Sequence, residues 1–304
     1  MARKMTQGQS VATMRKESGF ASVLDVNLKI TTYLPSLKHY RYFHFDLHSG
    51  SGWNTEADCI GSPLVFLETA NKYDKDIAAF FVDNDKDAIK YLSTRPELQR
   101  KDAFCFAGDN ADFVTAIPYL IRHFNDNPEY AVGSIICDPN GIITIPFAAL
   151  HETLKVCRRL DVIINWNSVA VKRTRNACPS KHACLPRIEC LRKVLQKDYW
   201  LIREPAERTL FDPADAWQWS ILVGRNMKAN DYRKAGFHDI NSPMGKSILS
   251  KLDNCKEDDI ECPLSRVCER LPLPPCIQSN TGNGNGAGEV AMRTMRATGY
   301  RSPS

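Results

Sequence analysis

Apolar residues along the chain fall at the two spacings that build secondary structure. From residue 43 to 47, Phe43, Phe45 and Leu47 alternate with His44 and Asp46, the period-two pattern of a β-strand. The run then breaks into Gly50 and Gly52, where the backbone can turn tightly and approach a ligand that a Cβ would repel. Four more apolar runs follow, at 77–83, 103–109, 134–139 and 160–165. Segments with helical spacing lie between them. The first opens at Gly61-Ser62-Pro63, with Ser62 as N-cap and Pro63 at the first helical position, where its missing N–H costs nothing. The others cover 86–92, 113–124 and 147–158. Strand and helix in strict alternation predict a doubly wound, mostly parallel α/β sheet. Two later strands, 197–203 and 218–224, are joined by a polar stretch without a long helix. A parallel pair needs a crossover of about a dozen residues or more, usually helical, so these strands predict an antiparallel hairpin closing the sheet.

The 304 residues suffice for one large α/β domain with appendages. Residues 1–23 are polar and basic and read as a flexible arm; 29–34 read as a short extra strand or lead-in. The α/β domain runs over 24–254, with an insertion at 53–60 and a basic, Cys/His-containing insertion at 170–197. Residues 255–304 contain cysteines and a Gly/Asn-rich stretch and read as a disordered tail. No apolar stretch approaches a membrane span and no hydrophobic signal region precedes the domain, so the cytoplasm is the expected compartment. Eleven cysteines, an odd number, exclude a fully paired framework within one chain.

Four of the five core strands end at or beside an acid: Asp46, Asp83, Asp109 and Asp138; the fifth ends in Asn165. Parallel sheets bind ligands at those ends. Each acid taken singly reads equally well as the cap of the next helix or turn; together they favour a site. His44 and His48 flank Asp46, and for each a satisfied structural histidine competes with a pocket-lining role.

The net charge is only +5, but its distribution is uneven. Between residues 170 and 210 ten cations (Lys172, Arg173, Arg175, Lys181, Arg187, Arg192, Lys193, Lys197, Arg203, Arg208) face four acids. On the ligand rim they could meet phosphates; a solvated helix face is the plainer reading. Within the same stretch Cys178, His182, Cys184 and Cys190 give four candidate soft ligands for zinc in thirteen residues. Their spacing only half meets the usual paired pattern, and reduced thiols in an ordinary loop are the alternative. Cys255, Cys262, Cys268 and Cys276 are spaced more widely and offer a second candidate cluster.

A parallel core closed by an antiparallel hairpin resembles the Rossmann-like class I S-adenosylmethionine-dependent methyltransferase fold. The resemblance implies that Gly50 and Gly52 pass under the methionine part of the cofactor, with Asp46 near its ammonium group and His48 among the cofactor-binding residues. It implies that Asp83 receives the ribose hydroxyls and that Asp109 lies by the adenine amino group, with Asn110 beside it among the cofactor-binding residues. Asp138-Pro139-Asn140-Gly141 stands where amino-methylating enzymes carry Asp-Pro-Pro-aromatic. Asn140 and Gly141 depart from that pattern, leaving Trp53 or Trp166 to supply a stacking face; each reads equally as an ordinary aromatic. More narrowly, residues 46–52, Gly61-Ser62-Pro63-Leu64, Val82-Asp83, Gly108-Asp109 and 137–141 resemble the three-Cys-motif partner proteins of bacteria and phages.

The implied activity is methyl transfer to DNA or RNA, at a base amino group, with Asp138, Pro139 and Asn140 at the reacting nitrogen and Lys172, Arg173 and Arg175 on the phosphates. The competing reading is a protein of this fold, of phage or mobile-element origin, that binds a nucleotide or a partner protein without transfer. A dinucleotide-dependent oxidoreductase fits less well, because the third glycine of its fingerprint is missing and the helix starts late.

Overall fold

In a computed structural model, residues 11–55, 58–139, 145–167, 188–203, 219–228 and 231–252 are described. The chain opens with helix α1 (Val11–Tyr33), followed by β1 (Tyr42–Asp46) and a short ribbon of β2 (Trp53–Asn54) and β3 (Cys59–Ile60). Then come α2 (Ser62–Ala70), β4 (Ile77–Asp83), α3 (Lys86–Ser93), β5 (Ala103–Ala107), α4 (Asn110–His123), β6 (Val132–Cys137), α5 (Phe147–Val156) and β7 (Leu160–Asn167). After α6 (Ile188–Leu195) the hairpin strands β8 (Tyr199–Arg203) and β9 (Trp219–Arg225) precede β10 (Phe237–Asp239) and α7 (Pro243–Leu252).

Eight strands form one sheet in the order β5-β4-β1-β6-β7-β9-β8-β10. The five from β5 to β7 are parallel, while β9 runs antiparallel between β7 and β8. This is the strand order of the Rossmann-like methyltransferase fold, with β10 added at the edge. The expected sheet and its closing hairpin are therefore present. The order reverses between β1 and β6, and at such a switch point the helices diverge and leave a crevice above the strand ends.

Alternation along the strands splits the core in two. Phe43, Phe45, Phe80, Ile135 and Ile164 face the layer of α4, α5, α6 and α7. Tyr42, Ala79, Phe81, Ile136 and Ile163 face α1, α2 and α3. Asp46 and Asp138 follow the second set in register, and so emerge on the α1 side.

Three expectations are corrected. Residues 11–23 are not a flexible arm but the first half of α1, and 29–34 end that helix rather than forming a strand. Phe20, Val23, Leu24 and Leu28 recur at helical spacing and are all buried. Gly19 lets the helix lie close: a Cβ there would run into the Arg203 guanidinium and Ile221. The N-cap of α2 is Gly61, not Ser62, whose side chain is buried near Asp46 instead.

Candidate functional site

The glycine turn is held from two sides. Gly50 and Gly52 both have positive φ, +55° and +71°, a conformation that disfavours any Cβ. The Gly50 N–H donates to Asp83 Oδ2 at 2.9 Å, and Gly52 O accepts from Gly61 N–H at 2.9 Å. Asp83 thus fixes the turn after β1 from the end of β4, and its Oδ1 accepts the Asp85 N–H at 2.9 Å. The cap of α3 is Asp85, two residues on. Asp109 does cap α4, accepting from Ala111 and Asp112 through Oδ1, so the capping reading holds at that position. Beside it Asn110 is buried, with Oδ1 lacking a partner.

At the switch point lie the carboxyl ends of β1 and β6, with β7 beside β6. Asp46 is fully buried; its Oδ1 accepts the His48 N–H, and its Oδ2 has no partner. Burial pushes its midpoint up to about 7, against the pull of Ser62 and the His48 N–H. Asp138, just beyond β6, accepts from the Asn165 side-chain amide at 2.8 Å. Its second oxygen accepts from the Lys16 ammonium at 2.6 Å.

Lys16 and Glu17 come from the first turns of α1, within the stretch expected to be a flexible arm. Their charged groups are 3.6 Å apart. The Glu17 carboxyl is buried, and burial pushes its midpoint up to about 8 although Lys16 opposes the shift. One of its oxygens, Oε2, has no partner. In β3, burial and the Glu17 charge push the Cys59 thiol up, while Lys16 opposes the shift. Burial pushes the Lys16 pKa down, but Asp138 and Glu17 outweigh it, and the net direction is upward.

Other candidates fall elsewhere. His44 is structural: it is fully buried, stacks on Phe66 at 3.7 Å, and its Nδ1 lies 2.9 Å from Ser134 Oγ. With no charge partner, burial drops its midpoint to about 3. Trp166 is corrected as a stacking surface. Its strand position faces the layer opposite the crevice, and it is 1% exposed within that core. Trp53 is half-buried in β2, with the Arg95 guanidinium 5.3 Å from its ring centre. Pro139 is buried after Asp138.

Asn140, Lys172, Arg173, Arg175, Cys178, His182 and Cys184, like the side chain of Cys190 and the second cysteine cluster, lie outside the described residues. Among the described residues no group of three or more His, Cys, Asp or Glu could hold a metal, and no helix is long and apolar enough to cross a membrane. Of the ten basic-segment cations Arg192, Lys193, Lys197 and Arg203 are described. Lys197 is corrected as a phosphate contact: it is buried and donates to the Arg158 and Leu160 carbonyls, at the amino end of β7 away from the ligand rim.

No protein-family model matches the sequence, and no curated protein does. Solved structures match distantly. Protein LPL1258 from Legionella pneumophila shares 12% identity at a TM-score of 0.47, over 78% of this chain and 92% of that one. A probable spermidine synthase from Corynebacterium glutamicum shares 11% at 0.43, over 85% and 83%. Human Methyltransferase-like protein 13, solved with SAH, shares 11% at 0.37, over 85% and 99%. The fold assignment stands on the strand order itself.

The donor set suits the cofactor such a fold takes. A ligand bearing an ammonium and a sulfonium would satisfy the buried, unpartnered Asp46 Oδ2, and the two positive-φ glycines keep the adjoining backbone free of side chains.

Proposed function

We propose that this protein is an S-adenosylmethionine-dependent methyltransferase acting on an amine nitrogen, with a nucleobase amino group of DNA or RNA as the acceptor. The observation that carries the reading is the meeting of Asp46, with its orphaned buried oxygen, and Asp138 at the switch point of this strand order. Asp46 and the Gly50–Gly52 backbone would hold the methionine part, Asp83 the ribose hydroxyls, and Asn110 with Asp109 the adenine. When bound, the cofactor supplies a methyl group activated on a positively charged sulfur. Asp138 accepts an N–H of the target amine and so aims the nitrogen lone pair, while Asn165 keeps the carboxylate in one orientation. Pro139 and Asn140 complete the acceptor pocket, and Lys172, Arg173 and Arg175 take phosphates.

The narrower kinship with three-Cys-motif partner proteins, a cytoplasmic setting, and zinc on Cys178, His182, Cys184 and Cys190 belong to the same reading. Fold does not decide activity. A second reading, a binding protein without transfer, is favoured by one observation: Asp138 is already paired with Lys16. Calorimetry with S-adenosylmethionine, followed by labelled-methyl transfer to bulk DNA and RNA, separates the two. Asp83→Ala should weaken cofactor binding by roughly 1.5–3 kcal/mol, the value of hydrogen bonds to a charged group. Absence of binding by the wild type rejects the cofactor. Binding without transfer leaves the second reading.

A further inference from the structure

The cation in the crevice belongs to the chain itself. Glu17, Asp46 and Asp138 converge there, and Lys16 is the one cation among the described residues paired with any of them. The site is nonetheless under-supplied with donors, because Asp46 Oδ2 and Glu17 Oε2 are buried without partners. Lys16 reaches Asp138 across 122 positions of sequence from the first turns of α1. Those turns differ from the rest of the helix. From Phe20 onward it is anchored by buried Phe20, Val23, Leu24 and Leu28, whereas Lys16 and Glu17 precede Gly19, the residue that weakens a helix interior most after proline. A break at Gly19 would separate those turns from the docked remainder.

We propose that Lys16 occupies the crevice's cation position in cis, and that a positively charged ligand enters only as the first turns of α1 withdraw it. The identity of that ligand, the sulfonium form of the cofactor, rests on the function proposed above. Two like charges cannot share one buried pair of carboxylates without each disfavouring the other. Lys16 thereby discriminates by charge. Both ligands carry the amino-acid ammonium, so the sulfonium alone separates them: S-adenosylmethionine, with the added charge, competes with Lys16 more strongly than S-adenosylhomocysteine, a neutral thioether at that atom.

The test compares both ligands by calorimetry on the full chain. Lys16→Met should tighten S-adenosylmethionine about tenfold, roughly 1.4 kcal/mol, and tighten S-adenosylhomocysteine, which lacks the sulfonium, by clearly less, about threefold at most. Lys16→Arg, which keeps the charge, should retain the wild-type ratio. Circular dichroism checks that each variant folds. In the wild type, S-adenosylmethionine should also speed hydrogen exchange at the amides of residues 12–18 and leave those beyond residue 20 protected. Equal response of the two ligands to Lys16→Met, or unchanged protection of 12–18 in the loaded protein, overturns the proposal. If no form binds either ligand, the cofactor assignment falls, and a separate arm decides this one. n-Butylammonium should raise the melting midpoint of Lys16→Ala but not of the wild type, and no shift in Lys16→Ala overturns the in-cis position.

Discussion

Replacing Asp46 with asparagine should make the protein more stable at high pH and not at low pH. In the native state the Asp46 midpoint is raised from 3.8 to about 7, chiefly by burial. The folded protein thus holds that proton more tightly than the unfolded chain. The resulting stabilisation is complete below about pH 4, and is lost as pH rises toward 7. At about 1.4 kcal/mol per unit, the swing is about 4 kcal/mol. The asparagine side chain cannot ionise, but its amide donors replace an oxygen that has no partner, at a cost of about 1–3 kcal/mol. The variant should therefore exceed the wild type by about 1–3 kcal/mol near pH 8.5, and equal it or fall below it near pH 4. Loss of the Asp46 charge also relieves Glu17, which reinforces the gain. His44, depressed to about 3 by burial, acts in the opposite sense: its stabilisation is present above about pH 6.5 and is lost as pH falls. It is common to both proteins and cancels in the difference. Urea unfolding at about four pH values measures that difference directly. A difference that stays constant across the range would refute the argument.

The remaining predictions concern the frame around the crevice. Asp161 and Arg225 form a buried ion pair at 3.3 Å. Asp161→Ala should cost about 3–5 kcal/mol by stranding the guanidinium, while the double change to Leu and Met should recover most of it; chemical unfolding of both variants checks this, and equal stability of single and double variants would contradict it. Gly52→Ala forces a side chain into φ +71° with its Cβ 2.6 Å from a Leu92 methyl. It should cost about 1–2 kcal/mol and weaken S-adenosylmethionine binding in the same calorimetric assay, with unchanged values for both counting against the turn's role.

The sheet was legible because its strands are apolar runs that end abruptly. The run at 77–83 matches β4 residue for residue, and the antiparallel pairing of β8 with β9 was expected from a connecting sequence without a long helical pattern. Asp46, Asp83 and Asp138 were legible for the same reason, each lying at a strand end. The other half of the crevice was not, because Lys16 and Glu17 lie on a helix whose opening turns are polar. The signal was present in the buried stripe of Phe20, Leu24 and Leu28, four residues apart, but the ion pair with Asp138 spans 122 positions, beyond any local pattern. Trp166 failed for a different reason. Seven of the eight residues of β7 are buried, so hydrophobicity alone cannot reveal which face a given position takes.

The close approach of Gly19 to Arg203 and Ile221 also orders events during synthesis. Helix α1 packs on α2 and also meets strands made about two hundred residues later, so its docking is completed only once the hairpin has emerged. A nascent chain stopped before β9 would leave the side of α1 that meets Ile221 uncovered, as a ready target for chaperones or proteases. An amino-terminal fusion or deletion reaching α1 would remove not a dispensable leader but part of the lining of the crevice.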